Sequence, residues 1–314
     1  MLVIPLATKI AELFLILFAA AALVKLHVVE SKDSRILSRI SLYFVTPCVI
    51  FNSFRNELNP EVLRGFLLAM GMATVFQLLF FLLAALLRRV WKATEVERAS
   101  IIFTNAGNLI IPLVSYIFGP EWVIYTSAYI LVFNVMFWTM GIRMFNRESA
   151  GGIRAIFTNP NILAILLGLL FLLTGLKLPE ALSIAFSDVA AMIGPLSMII
   201  TGMVVGGMHF RQLFENRRVF GVLFFRMIAA SGLAVLLAVF LARYTGITAG
   251  MSGGRSLILI PMLSAVAPSA SNINQVAIMY NHDAPYASAI NVITTLSCIA
   301  TIPLWVMVFE ALAG

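Results

Sequence analysis

Long apolar stretches alternate along the chain with short polar links. A helix needs roughly 20 apolar residues to cross the hydrocarbon core of a bilayer. On that measure the pattern predicts ten helical spans, at about 5–28, 37–54, 65–87, 99–119, 122–142, 155–176, 182–208, 219–242, 256–281 and 284–309. Several links are marked by proline or glycine, as in Gly119-Pro120, Thr158-Asn159-Pro160 and Lys177-Leu178-Pro179. Residues 1–28 read as the first span rather than a signal peptide: no basic segment precedes the apolar run, and Lys9 and Glu12 interrupt it.

Two of the ten spans depart from the pattern at their centres. In 256–281, a run free of charged side chains, the stretch Ala267-Pro-Ser-Ala-Ser-Asn-Ile-Asn-Gln275 places Pro268, Ser269, Ser271, Asn272, Asn274 and Gln275 where lipid-facing residues are ordinary. In 99–119 the stretch Thr104-Asn-Ala-Gly-Asn-Leu-Ile-Ile-Pro112 does the same with Asn105, Asn108 and Pro112. Proline removes a backbone donor and clashes with the preceding turn. Backbone groups freed at membrane depth are tolerated only where protein or a wet cavity satisfies them. A pair of polar, interrupted spans in corresponding places points to a transporter binding site. The plainer reading is that these amides only patch the gap left by proline.

The halves also correspond. Pro195 follows Pro47 by 148 residues, and Arg226 follows Gln77 by 149. Each half holds five spans, an odd number, so the second lies inverted relative to the first. The expectation is an all-α polytopic membrane protein of ten transmembrane helices. They form two inverted five-helix repeats, 1–147 and 152–314, with broken crossing helices in spans four and nine.

Composition excludes an ordinary soluble domain, since 61% of the residues are hydrophobic and 11% charged, against about a quarter charged in soluble proteins. The net charge of +7 is mostly a topology signal. The first, third, fifth and seventh links carry fourteen Lys and Arg residues, among them Arg88, Arg89, Arg98, Arg143, Arg147, Arg154, Arg211, Arg217 and Arg218; the opposite side carries six. Basic links face the cytoplasm, so the chain is expected in the cytoplasmic membrane with both termini outside. Basic residues spread over separate short links do not suggest a nucleic-acid partner. Cys48 and Cys298 sit in apolar runs, and His27, His209 and His282 are far apart; neither metal-ligand spacing nor a phosphate loop appears, and no cofactor is expected.

With these residues in view, the chain resembles the auxin efflux carrier family, which includes bacterial malonate- and malate-type carriers and the plant auxin exporters. The likeness rests on Tyr43-Phe-Val-Thr-Pro47, Asn105-Ala-Gly-Asn-Leu-Ile-Ile-Pro112, Asn159-Pro-Asn-Ile-Leu163, Gly194-Pro-Leu196 and Ala267-Pro-Ser269, and it extends over essentially the whole chain. It implies a scaffold of spans 1, 2, 6 and 7, and a transport domain of spans 3–5 and 8–10 that moves against it. It also favours a place near the substrate for Gln77 and Arg226. The long cytoplasmic loop of the plant exporters is replaced here by a link of about 146–152.

Half-helix ends at a break carry positive partial charge at their N-termini and can hold a carboxylate. Asn105, Asn108, Asn272, Asn274 and Gln275 add neutral hydrogen bonds. A small anion is therefore the expected substrate, and the resemblance implies that it is organic, auxin-like or a mono- or dicarboxylate. Arg226 is the basic residue well inside a span, where charge is costly; either it snorkels to the surface or it pairs with Gln77 beside the crossing. Asp188 and Glu12 read as rim residues, and Asn52, Asn134 and Asn291 as pathway residues or interhelical hydrogen-bond partners. Gly202-Met-Val-Val-Gly206 is a small-residue strip that serves packing within the chain or a homodimer through the scaffold helices. The main rival is a sodium-coupled organic-anion symporter of bile-acid carrier-like architecture; a channel, a receptor and an intramembrane enzyme are further rivals, and the last lacks any hydrolase motif.

Overall fold

The structure, a computed structural model, describes residues 3–54, 60–146, 157–208, 216–251 and 253–313. Arg55, Arg147, Arg154, His209, Arg211 and most of the 146–152 link lie outside the described residues. The rest is α-helical. In chain order the α-helices are α1 (Val3–Lys25), α2 (Ser34–Ile40), α3 (Thr46–Ser53), α4 (Pro60–Val90), α5 (Glu95–Ile102), α6 (Ile111–Ile117), α7 (Val123–Met136), α8 (Ile142–Phe145), α9 (Pro160–Thr174), α10 (Glu180–Ala191), α11 (Ile193–Gly207), α12 (Arg218–Phe224), α13 (Ser231–Tyr244), α14 (Gly254–Val266), α15 (Asn272–Met279) and α16 (Ala284–Ala313). Wider π-turns join α2 to α3, lead into α6, and join α7 to α8 and α12 to α13.

Among the described residues, seven helical stretches are long and apolar enough to cross a membrane, and three shorter apolar ones, Ala106–Ile117, Pro160–Thr174 and Gly254–Val266, fall on further apolar stretches of the sequence. Two of these three belong to the polar-centred spans, which is why neither reaches full length as one piece. The helix ends follow from local chemistry. Thr94 caps α5: its hydroxyl accepts from the Glu97 N–H at 3.3 Å while the Glu97 carboxylate accepts from the Thr94 N–H at 2.8 Å, a reciprocal capping box. Asn159 caps α9 with Pro160 next in line, and Gly175 ends it at φ 68°, a left-handed turn that glycine takes without strain.

α1 lies along α11, α3 against α9 and α10, α4 on α5 and α7, and α13 on α14 and α16; α1 also meets α16, and α7 meets both α3 and α9. The α1–α11 contact is the closest of these. A methyl added at Gly202 would lie 2.2 Å from the Leu17 carbonyl oxygen, and one at Gly206 would lie 2.6 Å from that of Ala21. The small-residue strip is thus filled by a helix of the same chain, and that face is not available for a dimer. On α1, the largely buried Lys9 pairs with the exposed Glu12 at 2.7 Å and stands over the Tyr116 ring at 4.4 Å.

Candidate substrate site at two paired helix breaks

The two polar-centred spans break, and their breaks meet. α5 stops after Ile102, where Phe103 turns extended with φ −96° and ψ 129°. α14 stops after Val266, where Ala267 takes φ −60° and ψ 158°, the conformation favoured before a proline. Thr104 and Ser269 then form an isolated antiparallel bridge. The Asn105 N–H donates to the Pro268 carbonyl at 2.8 Å, and the Ala270 N–H donates to the Phe103 carbonyl at 2.9 Å. Two strands one residue wide thereby satisfy groups that a broken helix would leave unpaired. Pro268 lies inside its break, but Pro112 does not; it stands within the resumed helical stretch Ala106–Ile117, just after the wider turn Ala106–Ile110, where the helical hydrogen-bond ladder is already irregular. The first interruption is thus made without proline. Pro112 is buried and faces α11, where a methyl added at Gly194 would come within 3.3 Å of it.

Each half-helix before a break ends on unpaired carbonyls, and Arg226 meets both sets. It sits in the π-turn Phe225–Ala230 and is fully buried. Nε donates to the Ala267 carbonyl at 3.1 Å, Nη1 to Ile101 at 2.9 Å, and Nη2 to Ala267 at 2.8 Å and also to Ala265. The guanidinium faces the Phe80 ring, 4.9 Å from its centroid. A cation at the negative ends of two helices is favoured by their dipoles, and these carbonyls are the ones a helix C-terminus leaves without partners. Arg226 therefore does not snorkel, and its hydrogen bonds go to main chain rather than to Gln77.

Gln77 is buried on α4 and donates through Nε2 to the Tyr129 hydroxyl at 3.4 Å, which Thr104 Oγ1 also reaches at 3.4 Å. A second support comes from α16: Asn291 Nδ2 donates to the Ser269 carbonyl at 2.7 Å, and Thr294 Oγ1 accepts from the Ser269 N–H at 3.2 Å. Beyond the bridge, Asn105, Asn108, Ser271, Asn272 and Asn274 are half-buried at the N-terminal ends of the second half-helices. The Asn108 amide approaches Ser271 Oγ at 3.5 Å, tying the two spans together loosely. Gln275 is exposed on α15, away from this group. Tyr129 and Thr294 were missed by the sequence reading, because each stands among other hydroxyl residues, Tyr125, Thr126 and Ser127 in the one case and Thr295 and Ser297 in the other, and nothing local singles it out. Asn134 and Asn52 make interhelical bonds, to Asn159 at 3.2 Å and to Ser187 at 3.4 Å. Asp188 is exposed.

Among the described residues, no group of three or more His, Cys, Asp or Glu side chains could hold a metal ion. The arrangement offers neutral amides, hydroxyls and two helix N-termini around one buried cation. These groups lie within a multi-pass membrane protein.

Comparison with known proteins agrees. The chain matches the family model described as "Membrane transport protein" in two adjoining stretches, 5–152 and 151–306, and it belongs to that family, the family of the auxin efflux carriers. A protein of Schizosaccharomyces pombe described as an uncharacterized transporter is 28% identical over 117 residues, which cover 35% of this chain and 25% of that relative. The match thus spans about a quarter of the relative's length.

Proposed function

We propose that the protein is a secondary transporter of a small organic anion, auxin-like or a mono- or dicarboxylate, working by elevator-type alternating access. The observation that carries this reading is the pairing of the two helix breaks over Arg226, which sets a fixed positive charge behind two helix N-termini. The charge attracts an anion through the field it creates, while half-buried Asn105, Asn108, Ser271, Asn272 and Asn274 are placed to hydrogen-bond it. In this reading the two five-helix repeats are inverted. The group containing α1, α3, α9, α10 and α11 is the scaffold, and the group containing the breaks is the moving domain. Both termini face outward from the cytoplasmic membrane, as the distribution of basic links suggests. A homodimer through the scaffold would use the exposed leucines of α9, Leu163, Leu166 and Leu170, because α1 already covers the glycine strip.

A sodium-coupled variant has one observation in its favour. Gln77 Oε1, Ser269 Oγ, Asn274 Oδ1 and Thr295 Oγ1 are buried oxygens without a hydrogen-bond partner, and neutral oxygens suit a hard cation. One experiment addresses both readings: uptake of labelled mono- and dicarboxylates into proteoliposomes, with sodium and pH gradients imposed separately. Stimulation by sodium alone selects the symporter. Asn108→Ala and Asn272→Ala should each weaken substrate binding about ten- to hundredfold, from about 1.5–3 kcal/mol per hydrogen bond to a charged ligand. Wild-type affinity in both variants would place the substrate elsewhere.

A further inference from the structure

A second cluster of cations lies outside the paired breaks. Arg88 from the last turn of α4, Arg98 from α5 and Arg143 from α8 line a half-open cavity of about 170 Å³ with Glu95, Met140 and Met144. That volume far exceeds the roughly 10–15 Å³ one water needs and falls below the roughly 300–1,000 Å³ of pockets for larger organic ligands. Three guanidinium groups against one carboxylate leave two positive charges in excess. Among the described residues, none of the three arginines makes an ion pair, and the Nε of Arg98 is buried without a hydrogen-bond partner. Burial, and then the charge of Arg88, outweigh the opposing carboxylate of Glu95 and hold the Arg98 pKa below its ordinary value, so the one carboxylate does not balance the cluster.

We propose that this cavity is a binding site for a phosphate-bearing anion, with Arg98 and Arg143 supplying the guanidinium forks and Arg88 further charge. The chemistry selects the ligand. A phosphomonoester carries about −1.5 to −2 charges at neutral pH, matching the excess, and its oxygens accept paired N–H groups from arginine. The cavity takes one such group and no attached nucleoside. Met140 and Met144 give it an apolar wall, against which an acyl or alkyl stem can lie. The phosphate comes either from an anionic lipid headgroup or from a soluble phosphate. The site uses none of the residues assigned to the transported anion and stands independently of the transport reading.

The test is thermal unfolding of the full chain in phosphatidylcholine nanodiscs. In the soluble arm, inorganic phosphate is titrated against chloride at equal ionic strength; in the lipid arm, phosphatidic acid replaces part of the phosphatidylcholine. Either phosphate or phosphatidic acid raises the unfolding midpoint of the wild type, and the arm that does so identifies the source. In Arg98→Gln/Arg143→Gln the same rise requires at least about tenfold more ligand, the loss expected for one charged hydrogen bond. Arg143→Gln alone, at an exposed position, carries the test should the double variant fold poorly. No rise in either arm, or equal rises in wild type and variants, would overturn the proposal.

Discussion

Taking away the side chain of Arg226 would strand the carbonyls of Ile101, Ala265 and Ala267, which end two helices and have no water to turn to. Breaking a buried charged network typically costs about 3–5 kcal/mol. Arg226→Gln should therefore lower the unfolding temperature of purified protein markedly, and Arg226→Lys should fall between, since an ammonium keeps the charge but not the planar fork. An unfolding temperature unchanged in Arg226→Gln would remove the clamp from the account. At this scale the sequence was half legible. A lone arginine deep in a span announced itself through its cost, but one residue's identity does not say whether its donors face a ligand, a side chain or main chain. The carbonyls that bind it lie 39, 41 and 125 residues away in sequence, and carbonyls are present at every position.

Among elements, the contact of α1 with α11 depends on glycine at Gly202, while Gly71 on α4 has open space around it. The two sites should respond with opposite signs. Gly202→Ala forces the helices apart and should cost about 1–3 kcal/mol, the usual range for overpacking. Gly71→Ala should stabilise α4 by up to about 1 kcal/mol through helix propensity alone. Unfolding midpoints in detergent measure both, and destabilisation by Gly71→Ala would contradict the open surroundings. The break in α14 was readable because Pro268 and its polar neighbours stand at the centre of the span. The break after α5 was located only roughly, since Pro112 drew attention to the helical stretch beyond it, which resumes at Ala106. What interrupts the chain at Phe103 is a partner strand from the other half, and no local pattern encodes that.

Across the whole molecule, one buried carboxylate ties three helix starts together. Arg218 from α12 grips Glu97 of α5 through Nε at 2.7 Å and Nη2 at 2.8 Å, and Tyr286 of α16 donates to the same carboxylate at 3.0 Å. The Arg218 guanidinium also lies on the Trp91 ring, 4.2 Å from its centroid. Burial pushes the Glu97 carboxyl up, but the hydrogen bonds from Arg218, the Thr94 backbone and Tyr286 outweigh it and leave it below the ordinary value. A carboxyl depressed in the folded state contributes stability above its unfolded pKa, and that contribution is lost as pH falls through the folded one. Glu97→Gln should therefore destabilise the protein at neutral pH by about 1–3 kcal/mol, the cost of unmet buried hydrogen bonds. The gap from wild type should close in acid. A gap that stays constant down through the carboxylate range would rule out the ionised tie. The sequence showed Arg218 only as one of the basic link residues; its partner Glu97 lies 121 residues away, and no local pattern joins the two.

The two hydrogen bonds that pair the breaks directly join main-chain atoms, those of Phe103, Asn105, Pro268 and Ala270. Atoms common to every amino acid thus join the two breaks directly, and Arg226, Asn291 and Thr294 brace them from other helices, whereas the half-buried amides of Asn105, Asn272 and Asn274 stand beyond the junction. Such a division frees those side chains to be exchanged for others suited to a different cargo without reopening the fold. The same frame can thereby be re-tooled for new solutes one side chain at a time.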